Sequence, residues 1–247
     1  MKAIISLLLI CGLAFLGCHK KNDDTQNGNC AVSDEVRSRY SESAYQMMMA
    51  RYMADTTLPQ YRTAALSASE HDEILGYIQA VYNLAGAERD TVFSIDSITE
   101  YPVTNLYQLI MQVDPNSPEG QNLSAGRPTG NSRFDAILTA YGLDSFRTML
   151  SSPGIKWIIA RTATPHNMIQ VAKELGTFPF IFQSTVDSYA GDGDRIKLTY
   201  LESFAPPSPV ALDFSIGRGD CPAGCTFRRH WIFQVTECNA RFAGSYQ

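Results

Sequence analysis

The chain has 247 residues, 45% of them hydrophobic and 18% charged, and a formal net charge of −5. That is enough apolar material for a real buried core, and an acidic balance without a basic patch argues against nucleic acid as a partner. Beyond the first residues no apolar run approaches the roughly 20 residues needed to cross a bilayer.

Met1 to Gly17 opens with Lys2 and continues as an apolar run from Ala3 to Ile10 and on to Leu16. It is too short for a membrane span and reads as a signal peptide. Gly17 directly before Cys18 resembles the lipobox of bacterial lipoproteins, which implies a diacylglyceryl group on Cys18 and cleavage before it. Phe15 and Leu16 stand where that pattern more often has Leu and a small residue. The following His19-Lys20-Lys21-Asn22-Asp23-Asp24 resembles the Lys-then-acidic tract of surface-exported Bacteroidota lipoproteins. The implied location is the outer membrane, lipid-anchored, on the cell surface or the periplasmic face. The membrane would be met only through the lipid on Cys18. Residues 18–29 then form a disordered tether with nothing to bury, and residues 30–247 a single domain with a candidate internal boundary in the loop 115–131.

Ser33 is placed to cap a helix that opens with Asp34 and Glu35 and carries Val36, Tyr40, Ala44, Met47 and Tyr52 at helical spacing. Its Met47-Met48-Met49 run reads as core filling, since a methionine metal box would need flanking His or Cys. A second helix starts from Ser67 or Ser69, runs through Ile74, Ile78 and Val81, and ends at Gly86. Its Glu70-His71-Asp72-Glu73 run reads as a solvated first turn.

From Thr91 the alternation of Val92, Ser94, Asp96 and Ile98 predicts a weak strand, and residues 106–114 predict a strand buried on both faces. The Pro-, Gly- and Asn-rich stretch 115–131 reads as loop. A short helix near Phe134 to Tyr141 follows, then strands near 144–150 and 155–161, a helix from Pro165 to Leu175 and a strand over 177–186. Two more strands, 195–202 and 209–216, precede a terminal strand over 226–237. Gly191-Asp192-Gly193-Asp194 lacks an EF-hand's spacing and terminal Glu, and reads as a hairpin turn between its neighbours. The expected class is α+β: N-terminal helices packed on a mostly antiparallel sheet with one βαβ-like excursion, stapled by disulfides.

Of the six cysteines, Cys11 would leave with the signal and Cys18 would carry lipid. Cys30, Cys221, Cys225 and Cys238 remain, and four exported cysteines imply two disulfides. If residues 226–237 form one extended strand, Cys225 and Cys238 sit about 40 Å apart, far beyond disulfide reach. The preferred pairing closes a tight loop with Cys221 and Cys225 and joins Cys30 to Cys238. A Cys₃His zinc set with His230 is disfavoured by the same strand and by oxidation on export.

The segment Gly219-Asp220-Cys221-Pro222-Ala223-Gly224-Cys225 and the aromatic strand after it resemble the C-terminal part of an uncharacterised Bacteroidota family of secreted and lipid-anchored proteins. The resemblance implies lineage and location and brings no activity. Along the strand, Phe227, Arg229, Trp231, Phe233 and Val235 alternate with Arg228, His230, Ile232 and Gln234, so one side faces the core. Arg228, His230 and Trp231 are the candidate binding residues, Trp231 being either core or a sugar-stacking platform. No Gly-x-Ser-x-Gly, His-Glu-x-x-His or phosphate-loop pattern occurs, so no catalytic residue, metal or cofactor is assigned. The expected function is a binding or structural module with a protein or glycan partner. Its rival is an exported hydrolase, acting on glycans, with a pocket built from Asp187, Asp192, Asp194, His166 or His230.

Overall fold

A computed structural model describes residues 30–152, 154–187, 189, 191–201 and 209–247. The expected signal segment, Cys18 and the expected tether lie outside the described residues. The architecture is α+β, with N-terminal helices and two antiparallel four-stranded sheets, stapled by Cys30–Cys238 and Cys221–Cys225.

Helix α1 (Asp34–Ala54) starts where Ser33 Oγ accepts from Val36 N at 3.3 Å, with Asp34 and Glu35 at the positive end of its dipole. Met47, Met48 and Met49 are all buried, because α1 is covered on more than one side. Helix α2 (Ala68–Tyr82) is capped by Ser67 and ends at Asn83, before the expected Gly86. The solvated reading of its first turn is corrected: Glu70 and His71 are buried against α1. Glu70 accepts from Tyr52 Oη at 2.6 Å and pairs with Arg51 at 2.7 Å, while His71 stacks on Tyr45 with ring centres 4.0 Å apart. Packing supplied partners that let these polar groups leave water.

The strand expected from Thr91 is instead a short helix α3 (Ala87–Asp90) running into a π turn (Thr91–Ile95). Neighbours Val92 and Phe93 are both buried, which alternation cannot achieve. Phe93 sits edge-on to Tyr40, Tyr82 and Phe214 at 5.2 to 5.5 Å, and filling that slot sets the helical phase.

The first sheet contains β1 (Gln108–Val113), β2 (Ser145–Ser152), β3 (Ile155–Arg161) and β4 (Ile181–Thr185) in the order β2-β3-β1-β4. β3 and β4 both run antiparallel to β1, so they are parallel to each other with β1 between them. The βαβ-like excursion is therefore real but split, its crossover carried by α6 (Met168–Leu175). β1 is buried on one face only, through Leu109, Met111 and Val113, since the helices cover a single side. The stretch 115–131 is not all loop: Ser117 Oγ accepts from Gly120 N at 3.0 Å and Pro118 opens α4 (Pro118–Ser124), so capping chemistry outweighs the breaker-rich composition. Helix α5 (Ser132–Ala140) follows, and its Phe134 packs edge-on to Phe178 and Phe180. Helix α6 begins later than Pro165, because Asn167 turns its amide to Tyr61 O at 3.0 Å and its N–H to Ala64 O at 2.8 Å.

The second sheet is a meander of β5 (Arg195–Tyr200), β6 (Val210–Arg218), β7 (Phe227–Thr236) and β8 (Asn239–Tyr246). Leu212, Phe214, Trp231 and Phe233 form its inner face, with α1 over β5 and α2 over β7 and β8. β8 was not expected; β7 turns into it through Glu237, at φ 54°, and Cys238, which reaches back to Cys30. The turn at residues 191–194 is corrected as well, since β4 and β5 belong to different sheets. Those residues form one of two connectors that run side by side, with Tyr101 N donating to Asp194 O at 2.8 Å and Asn105 N to Asp187 O at 3.2 Å.

Candidate functional site

A groove of about 690 Å³ lies along β5 where the C-terminal half of α1 passes over it. One wall is apolar, formed by Met47, Ala50, Ala54, Leu58 and Ile74. These come from α1, from the turn that follows it and from α2, whose helical phase points them at the sheet. The opposite side is polar, built where Asp213 and Ser215 of β6 and Arg228 and His230 of β7 fall on the outer face by strand alternation.

Glu100 sits at the junction of the two, 8% exposed. Arg195 Nη1 donates to it at 3.1 Å and Ile196 N donates to its other oxygen. Burial raises its carboxyl to about 7 even though both donors favour the anion. Arg195 Nε also reaches Asp192 Oδ1 at 3.2 Å, and Asp192 Oδ2 pairs with Arg228 at 2.6 Å. Burial alone would raise the Asp192 carboxyl, but Arg228, the Gly193 N–H and Arg195 outweigh it and hold it at about 2. Arg228 finally donates to Ser215 Oγ at 3.1 Å. Two guanidiniums and two carboxylates thus form a connected network that sets the polar end in place.

His230 Nδ1 lies 3.0 Å from both oxygens of Asp213, and its ring stacks on Tyr246 at 4.3 Å and 5°. Ser215 stands directly across from His230 in the β6–β7 register. This is the composition of a nucleophilic triad without its connectivity. Ser215 is 2% exposed and its hydroxyl accepts from Arg228; among the described residues no hydrogen bond joins it to His230.

Of the three candidate binding residues, Arg228 and His230 meet at the groove and Trp231 does not. Trp231 is 2% exposed on the inner face, under Arg229 at 4.8 Å, so it is core and not a sugar platform. Nor does the hydrolase set converge. His166 belongs to the first sheet's side, beside Tyr141 at 5.4 Å, and Asp187 accepts from Asn105 and Gln108 in the connector. Asp192 is held by two arginines. Cys30, Cys221, Cys225 and Cys238 are all in disulfides, which removes them as zinc ligands, and among the described residues no group of three His, Cys, Asp or Glu could hold a metal ion.

Sequence reasoning missed Glu100, Arg195, Asp213 and Ser215. The last two carry a legible signal, since they alternate with Leu212 and Phe214 along β6. Glu100 carries none: it stands in a connector, and only the tertiary fold buries it. No protein-family model and no curated protein matches the chain. The functional reading therefore rests on the chemistry of the groove.

Proposed function

We propose that the protein is an exported binding module, tethered to the outer membrane through lipid on Cys18, whose ligand seats in the groove along β5. The groove carries this reading: an apolar wall facing a few convergent, pre-organised polar groups is the usual make-up of a ligand site. The two disulfides agree with passage through an oxidising compartment. Against a hydrolase stands the bonding of Ser215 to Arg228 in place of His230.

The test is a photoreactive phenylalanine in place of exposed Thr199 on β5, compared in intact cells with the same residue in place of exposed Thr148 on β2. The Thr199 probe should give a defined adduct, and Ala50→Trp, which fills the groove, should remove it. Equal labelling from both positions would refute the reading. Palmitate incorporation that persists in Cys18→Ala would refute the anchor.

A further inference from the structure

β5 is an edge strand of its sheet, and the groove runs along its free edge. All six of its residues line the groove, from both faces of the strand, so the opening looks onto the backbone between them. The hydrogen-bond phase is fixed by Ile196, whose N–H points away from β6 and donates to Glu100. With a period of two along an antiparallel pair, the N–H and C=O of Leu198 face the same free side. Among the described residues nothing takes them.

Among the described residues, the start of the edge is covered. Tyr101 N donates to Asp194 O, and the Glu100 carboxylate then occupies the place where a neighbouring strand would offer its first acceptor. Pro102 follows, and the chain leaves the edge. Natural sheets cap, charge or cover such edges, yet here the Leu198 backbone opens onto the apolar wall of Met47, Ala50 and Leu58. On the outer face Lys197 is exposed. Its cross-strand neighbour Asp213 is engaged by His230, and Lys197 has no salt bridge among the described residues.

We propose that β5 receives an extended peptide segment of a partner protein as an added strand, with aliphatic side chains turned to the α1 wall and an acidic side chain turned to Lys197. This rests on the groove being the ligand site. Backbone hydrogen bonds would hold the segment, and the alternation of the strand would select its side chains. Glu100 acts as the stop that sets where the added strand begins.

The probe is a fluorescein-labelled, end-capped hexapeptide of alternating Val and Glu. Anisotropy is measured against the full-length lipid-anchored protein in nanodiscs, with empty nanodiscs as blank. Saturable binding is expected, and methylating the peptide's backbone nitrogens on the pairing side should weaken it about tenfold or more. Leu198→Pro, which removes an edge N–H without touching the β6 ladder, should weaken it to a similar degree. Lys197→Glu should shift preference toward a Val–Lys peptide by about fivefold. Equal binding of methylated and unmethylated peptides would overturn the proposal, because side chains alone would then be recognised. So would a dimer of the protein that Leu198→Pro dissolves, since a second copy would be the occupant. If no peptide binds while the Thr199 probe still yields its groove-dependent adduct, the strand-addition proposal fails and the binding-module reading stands. If neither is seen, both fail.

Discussion

Replacing Cys30 and Cys238 together by Ser removes the bridge without leaving an orphan thiol. The bridge closes a loop with a sequence separation of 208, and the chain-entropy relation for a loop of that size gives about 5 kcal/mol. For Cys221–Cys225, with a separation of 4, the same relation gives about 2 kcal/mol. Net stabilities of ordinary domains are about 5 to 15 kcal/mol, so the first loss is large and the second tolerable. The assay is urea unfolding followed by tryptophan fluorescence on the protein, the Cys30→Ser/Cys238→Ser pair and the Cys221→Ser/Cys225→Ser pair. The long bridge should cost clearly more, and its removal should steepen the denaturant dependence, because the unfolded chain is released to expand. Equal costs for the two pairs, or an unchanged slope together with a loss below about 1 kcal/mol, would refute the entropic reasoning.

Glu100 gives a pH test. A carboxyl raised in the folded state holds its proton more tightly there, so folding weakens as pH climbs from the ordinary 4.5 through about 7. Glu100→Gln should remove that slope, gaining about 3 kcal/mol on the parent protein between pH 4.5 and 7.5; melting curves across that range check it, and parallel curves would count against the buried carboxylate. Tyr52→Phe deletes the hydroxyl that donates to Glu70 at 2.6 Å and should cost about 1 to 2 kcal/mol in urea unfolding. Trp231→Ala should cost about 3 to 5 kcal/mol as a core truncation. Conservative replacement with Phe should recover most of the stability, whereas a sugar platform would show little stability change in either variant.

What could be read in the residues was whatever local chemistry decides. The caps Ser33 and Ser67 marked two helices because their side chains bond the next turn's own backbone. The alternation around Trp231 placed it inside, and the reach of an extended strand ruled out Cys225 with Cys238. Illegible features were those decided by a distant partner. Glu70 and His71 look solvated until α1 lies beside them, and Phe93 has no visible reason to be helical until Tyr40, Tyr82 and Phe214 leave one slot for it. β8 escaped because Glu237-Cys238 is not ordinary hairpin-turn chemistry and its edge position needs little apolar content. The groove is the extreme case, for Glu100, Arg195 and Arg228 come from a connector and two strands that nothing local brings together.

The bridge from Cys30 to Cys238 also fixes how the molecule carries mechanical load. A pull applied between a point before Cys30 and a point after Cys238 travels through one covalent link at the β7–β8 turn. The helices, the first sheet, β5 to β7 and the groove then hang from that link outside the line of tension, while β8, which follows Cys238, lies on it. Such a two-point pull would load β8 and the chain before Cys30, and the residues between the two bridged cysteines, the groove among them, stay in register.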